Sequence, residues 1–179
     1  APLASRSEGH ILSHGLGDWC DLGPGRPAFA QLTPVALTAT AFYYLDTCVL
    51  AQIATHLGET AEAAEFARRA EEIGAAFNAK FFDEAKGSYA TGSQCANALP
   101  LAIGLVPPAH RRAVLDAIVQ DVRGRGDALT AGDVGFRYLL RALAENGRSD
   151  VVYAMNSQSD KPGYGYQLKM GCTSLAESW

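Results

Sequence analysis

The last nine residues, Gly171-Cys-Thr-Ser-Leu-Ala-Glu-Ser-Trp179, set one carboxylate, Glu177, two positions before an indole. A positioned carboxylate can take a proton from water, and a flat apolar ring can lie against the face of a sugar. Near the other end, Gly15-Leu-Gly-Asp18-Trp19 places an aspartate directly beside the second tryptophan. Gly15 and Gly17 allow the backbone there to approach a neighbour closely. Each constellation also has a plainer reading. Glu177 could be a salt-bridged surface glutamate, and Trp19 could pack under a loop with Asp18 capping a turn.

Composition narrows the classes. The chain has 179 residues, 48% hydrophobic and 19% charged, the range of one soluble globular domain or a large piece of one. A net charge of −4 argues against an electrostatic footprint for DNA or RNA. The basic pairs Arg68-Arg69 and Arg111-Arg112 fall on predicted helices, where solvated faces account for them. No apolar run approaches the roughly 18 residues of a membrane span. The four cysteines, Cys20, Cys48, Cys95 and Cys172, show no CxxC and no Cys/His pairing at metal spacing, so a zinc site is not expected, and no ligand cluster in the sequence demands another metal or cofactor. Free cysteines acting as small apolar residues are the default. Their even number leaves disulfides open for an exported protein.

The elements that must position these groups are helices. Pro34 opens a helix over Val35 to Leu57, with Leu37, Ala41, Tyr44, Leu45, Cys48, Ala51 and Ile53 on one buried face and Gly58 as terminator. A second runs from Thr60 to about Phe77-Asn78 on a Phe66, Ala70, Ile73 and Phe77 stripe, antiparallel to the first. Phe81 to Tyr89 reads as a turn with a short extended arm. Ser93 to Ile103 forms a third helix, broken by Pro100 or ending near Gly104. Pro107-Pro108 restarts a fourth over Ala109 to Val122, with Val114, Leu115, Ile118, Val119 and Val122 inward. Asp133 to Asn146 is a fifth, capped by Gly147, and Ser149 or Asp150 starts a sixth through about Ser157. Pro162, Gly163 and Gly165 then break the chain.

Helix, short loop, helix, longer loop is the pattern of a toroid of helical hairpins. The longer segments, 13–33, 81–95, 124–133 and 158–175, hold most of the unusual polar and aromatic residues. They are expected together on the rim that carries function.

In this order, Gly15-Leu-Gly-Asp18-Trp19, Leu32-Thr-Pro34, Thr38-Ala-Thr40-Ala-Phe-Tyr-Tyr, Gly92-Ser-Gln94, Ala98-Leu-Pro-Leu-Ala-Ile-Gly-Leu-Val-Pro107, Gly135-Phe-Arg-Tyr-Leu-Leu140 and Pro162-Gly-Tyr-Gly-Tyr166 resemble the middle of bacterial α-L-rhamnosidases, glycoside hydrolase family 78. The terminal segment is similar to that family's Gly-Ala-Thr-Ser/Thr-x-x-Glu-x-Trp. The resemblance spans essentially the whole chain. It implies an all-α (α/α)6 barrel of six helical hairpins that hydrolyses terminal α-L-rhamnosides with inversion. Glu177 would then be the general base, and Asp18 and Trp19 would lie in the sugar pocket, the aspartate accepting from hydroxyls and the indole stacking. Tyr164, where many relatives have tryptophan in Pro-Ser-Trp-Gly-Tyr, would be an aromatic wall of the pocket, and Trp179 is a further substrate-binding candidate. Tyr89 and Gln94 flank a rim loop and are further substrate-binding candidates, with core packing or helix capping as the alternative for each. Tyr43-Tyr44 and Phe81-Phe82 read as core aromatics, and His10 and His14 as surface residues.

Two features of that family are missing. Its general acid lies in an Arg-Glu/Asn-Glu-x-Leu-Gly-Trp-like segment well upstream of Gly-Asp-Trp, and residues 1–17 contain no match. A histidine-bearing segment that normally follows the terminal tryptophan is also missing. About six helices are expected where a closed barrel needs twelve. Residues 1–179 are therefore read as the central-to-late part of one catalytic domain, inactive alone, with apolar helix faces that pair with the missing half-barrel or with a second copy. A periplasmic or secreted location is favoured over a cytoplasmic one. The competing readings are another (α/α)6 enzyme, glucoamylase-like or uronate-processing, and a non-catalytic helical scaffold. The irregular hairpins and loops speak against the scaffold.

Overall fold

The computed structural model describes residues 3–26, 28–176 and 179. Among these, seven α-helices and one two-stranded hairpin form the architecture. Helix α1 (Val35–Leu57) and helix α2 (Thr60–Phe81) form an antiparallel pair. Gly58 ends α1 in the left-handed conformation, φ 77°, and donates its N–H to Ala54 and Thr55 carbonyls. Strands β1 (Phe82–Asp83) and β2 (Ser88–Tyr89) pair antiparallel, Phe82 opposite Tyr89. Helix α3 (Gln94–Ala102) packs on α4 (Arg111–Gly124) and on α5 (Asp133–Glu145), followed by α6 (Ser149–Ser157) and α7 (Tyr164–Lys169).

Helix α3 is the centre of the core. Every residue from Gln94 to Leu101 is buried, and around them lie Val114, Ile118 and Val122 of α4, Leu139 and Leu143 of α5, and Val151 and Met155 of α6. Each such aliphatic side chain contributes about 1.5–3 kcal/mol when fully removed from water. Ser93 caps α3, its Oγ accepting from Ala96 N–H at 3.2 Å. Of the two readings of this helix, the structure shows the end near Gly104 and no break at Pro100. That proline lies in the last turn, and the chain closes below it through Ile103 N–H to Leu99 O and Leu105 N–H to Pro100 O.

Other departures have local causes. Helix α2 continues to Phe81, because Phe77 and Phe81 stack at 5.1 Å in the core and no breaker intervenes before β1. Six residues of α7 lie where the glycines predict only a break, an element too short to leave a periodic signature. On α1 the buried set is Leu37, Thr38, Thr40, Ala41, Tyr43, Thr47 and Ala54, whereas Ile53 is 48% exposed. The threonines are accommodated by hydrogen bonds, Thr47 to Tyr43 O at 2.7 Å and Thr40 with both the N–H and the carbonyl of Leu12. Apolar residues surround α1, so sequence spacing alone cannot choose its inner face. Val49, Leu50, Ile53 and Leu57 form an exposed apolar stripe on it.

No helix among the described residues is long and apolar enough to cross a membrane. No disulfide links Cys20, Cys48, Cys95 or Cys172 among the described residues, and no group of His, Cys, Asp or Glu among them could hold a metal ion.

Candidate functional site

The four longer loops meet at one end of the helices. Leu22 N–H donates to Thr130 O at 2.9 Å, Leu129 N–H to Pro162 O at 3.3 Å, and Thr91 Oγ1 to Leu32 O at 2.6 Å. Thr33 and Ser93 join through their hydroxyls at 2.7 Å. These bonds tie segments 13–33, 81–95, 124–133 and 158–175 together, as the alternation of loop lengths predicts.

Asp18 organises the junction. Its side chain is fully buried, and its two oxygens accept from Gly135 N–H at 2.7 Å and Gly132 N–H at 3.0 Å. It therefore satisfies donors that the first turn of α5 leaves unpaired. Burial pushes the Asp18 carboxyl above the usual carboxylate range, although the two amide donors and the Cys95 thiol pull it down. The same fold locks Trp19, whose carbonyl accepts from Asp133 N–H at 2.8 Å. A methyl group on Gly132 would run into that carbonyl, and one on Gly135 would lie 2.6 Å from Cys95 Cβ and 2.7 Å from Asp18 Oδ2. Both glycines are required by close approach.

Trp19 packs its ring against Phe29, centroids 5.4 Å apart, with the Arg26 guanidinium over the other ring at 4.9 Å. Beside it Cys20 and Ala28 both adopt left-handed backbone, φ 61° and 77°, and bond to each other through Cys20 N–H and Ala28 O. Non-glycine residues rarely adopt this conformation, and such strain concentrates at functional sites. Asp21 holds the rest of this loop, accepting from the N–H groups of Gln31 and Leu32.

On the far side of α5, three aromatic rings converge. Phe136 meets Trp179 at 5.0 Å and Tyr164 at 5.5 Å, both edge-to-face, and Tyr164 meets Trp179 at 5.5 Å. With Gly132, Asp133, Leu175 and Ala176 they line a cleft of about 260 Å³. Trp179 also lines a second cleft of about 200 Å³ with Cys20, Asp21, Leu22, Gly23, Ala28 and Gln31, which joins the aromatic cluster to the Trp19 loop. Gly163, φ 154°, lets the chain turn tightly against Met155 before α7 presents Tyr164.

The candidates read from sequence are thus sorted by position. Tyr164 and Trp179 come together in the cleft. Trp19 does not line it; its carbonyl accepts from Asp133 N–H and its ring packs on Phe29. Glu177 lies outside the described residues, while Ala176 and Trp179 on either side of positions 177 and 178 both line the cleft. Asp18 does not face it. It is fully buried, and its oxygens accept from the Gly132 and Gly135 amides, so in this structure it acts on the cleft through α5.

Tyr89 and Gln94 do not line the cleft either. Tyr89 is buried against Phe77 and Phe82, and its hydroxyl donates to Asn78 Oδ1 at 2.5 Å. Burial raises its phenol well above the ordinary value. Gln94 is buried at the start of α3, where it donates to Asp121 Oδ2 and Ala128 O and accepts from Thr130 N–H at 2.8 Å. These are contacts of core packing and of the start of α3, in keeping with the alternative that the sequence held open for each. Asp133 and Phe136 line the cleft without having been singled out. Asp133 reads from sequence as an ordinary acidic first-turn residue, and Phe136 as part of a helix stripe.

Comparison with known proteins accords with this geometry. Residues 3–179 match the bacterial alpha-L-rhamnosidase 6 hairpin glycosidase domain. The α-L-rhamnosidase of Streptomyces avermitilis is 30% identical over 178 residues, covering 99% of this chain and 16% of that protein. That of Alteromonas sp. (strain LOR) is 28% identical over 170 residues, 91% of this chain and 18% of that protein. Among solved structures, α-L-rhamnosidase from Dictyoglumus thermophilum superposes with a TM-score of 0.90 at 34% identity, over 99% of this chain and 20% of that one. The Streptomyces avermitilis enzyme complexed with L-rhamnose superposes with a TM-score of 0.89 at 30% identity, over 99% of this chain and 16% of that one. The chain spans about a fifth or less of the length of the relatives it matches. From the match over residues 3–179, the chain belongs to the bacterial α-L-rhamnosidase six-hairpin glycosidase family.

Proposed function

We propose that the full-length protein carrying this segment hydrolyses terminal α-L-rhamnosides with inversion, and that Glu177 is its general base. The observation that supports this most is the cleft of Phe136, Tyr164 and Trp179, lined also by Ala176. An aromatic cleft reached by a carboxylate-bearing segment suits the apolar face of a 6-deoxy sugar. The relative solved with L-rhamnose belongs to the same family and superposes over nearly the whole chain.

In the proposed reaction Glu177 removes a proton from water as the water oxygen attacks the anomeric carbon. The glycosidic oxygen leaves with a proton from a carboxylic acid contributed from outside these residues. The two carboxyl groups of such a site stand roughly 6.5–9.5 Å apart, leaving room for the water. No cofactor enters this chemistry.

The exposed α1 stripe fits the same reading. Val49 and Leu50 line an apolar groove with Leu3, Tyr43 and Phe66, and neighbouring hairpins of the full domain would cover it. The segment alone is then inactive, because it holds one half of a two-carboxylate mechanism.

The test is hydrolysis of an aryl α-L-rhamnoside by the full-length protein, followed by proton NMR. The expected result is β-L-rhamnose as the first product and no turnover of the matching aryl glucoside. α-L-rhamnose as first product would overturn inversion. Turnover of the glucoside alone would move the protein to another (α/α)6 hydrolase.

A further inference from the structure

We infer that Asp133 is a substrate-binding residue whose carboxylate accepts hydrogen bonds from sugar hydroxyls in the aromatic cleft. This rests on the reading that the cleft holds the sugar. Among the seven described residues that line it, Gly132, Asp133, Phe136, Tyr164, Leu175, Ala176 and Trp179, only Asp133 carries a formal charge at neutral pH. Rings supply area and shape for a pyranose, but orientation needs convergent polar groups of fixed position. A carboxylate with several acceptor sites suits a pair of adjacent hydroxyls.

Asp133 is also held rigidly. It is the first residue of α5, and its N–H donates to Trp19 O at 2.8 Å. The glycines at 132 and 135 on either side are tied to Asp18. Three backbone amides within four residues are therefore fixed by the Trp19 loop, which sets the direction in which the exposed Asp133 side chain leaves the helix. Asp133 is thereby the point where the Asp18-Trp19 loop, α5 and the Tyr164-Trp179 aromatics meet.

Asp133→Ala and Asp133→Asn in the full-length enzyme test this, read by calorimetric binding of L-rhamnose, KM and kcat on an aryl α-L-rhamnoside, and thermal unfolding. Expected are a ten- to hundredfold loss of rhamnose affinity in Asp133→Ala, the span of one or two hydrogen bonds to a charged acceptor, a smaller loss in Asp133→Asn, and little change in unfolding. A series of monodeoxy rhamnosides provides a readout that a merely structural role would not move. For at least one hydroxyl, the penalty of deletion seen in wild type should vanish in Asp133→Ala. Affinity within twofold of wild type, or deoxy penalties identical in both proteins, would overturn the assignment. Wild type that binds a different monosaccharide would sink the rhamnosidase reading alone, and Asp133→Ala is then judged by the same loss against that sugar. Wild type that binds no sugar overturns both.

Discussion

Asp18 Oδ1 accepts the N–H of Gly135 at 2.7 Å across 117 positions of sequence, and this bond joins the first long loop to the helix that floors the cleft. Trp19, Asp133 and Phe136 all take their places from it. The aspartate of the Gly-Asp-Trp segment therefore acts through its neighbours.

Replacing Asp18 should be costly to the fold. Asp18→Ala leaves the Gly132 and Gly135 amides buried without acceptors, at about 1–3 kcal/mol for each unsatisfied group. Urea unfolding of the full-length protein should show this as a lower midpoint, with rhamnoside KM raised in whatever remains folded. An unchanged midpoint would mean that water replaces the carboxylate at no cost.

The protonation of Asp18 predicts a pH dependence of definite sign. Its folded carboxyl lies above the ordinary carboxylate value near 3.9 because burial outweighs the amide donors. The folded state then binds the proton more tightly than the unfolded state. Its contribution to stability is complete below pH about 3.9 and is lost as pH rises through the elevated folded value. As pH rises from about 3.9 through the elevated folded value, wild type should lose stability relative to Asp18→Asn. Parallel curves for the two proteins would contradict this.

Gly135→Ala should destabilise by about 1–3 kcal/mol, since its methyl must displace Cys95 or Asp18. Gly124→Ala, at the end of α4 with no heavy atom near the added methyl, should remain within about 0.5 kcal/mol of wild type. Unfolding midpoints decide it, and equal effects at the two glycines would remove the close-approach argument.

The α1 stripe predicts how the 179-residue segment behaves alone. It should bind an apolar fluorescent dye and associate on size-exclusion chromatography, and Ile53→Lys with Leu57→Lys should reduce both. A monomer with a cooperative transition and little dye binding would show that this face needs no cover.

Much of this was legible in the residues themselves. Pro34, Gly58, Ser93 and Gly147 mark helix ends by local chemistry, and the stripe on α4 has one inner face, so these elements follow from spacing. Helix α1 is apolar all round, which hides its inner face and concealed the exposure of Ile53. The site was half legible. Aromatics such as Tyr164 and Trp179 announce themselves by type, and the resemblance places them. What a sequence cannot display is which acidic residue lies at a cleft: Asp18 is buried against the start of α5, whereas Asp133, a helix-end acid by sequence, is among the residues that line the cavity. Tyr89 and Gln94 illustrate the same point, since their hydrogen-bond partners Asn78 and Thr130 lie 11 and 36 positions away.

The central claim is that Glu177 activates water in a rhamnoside-hydrolysing site, and kinetics of Glu177→Gln in the full-length enzyme test it most directly. Loss of a general base predicts a fall in kcat of about 10²–10⁴ with rhamnose binding largely retained. Residual activity above roughly a few per cent of wild type, beyond the range of that loss, would contradict the account and assign the base elsewhere.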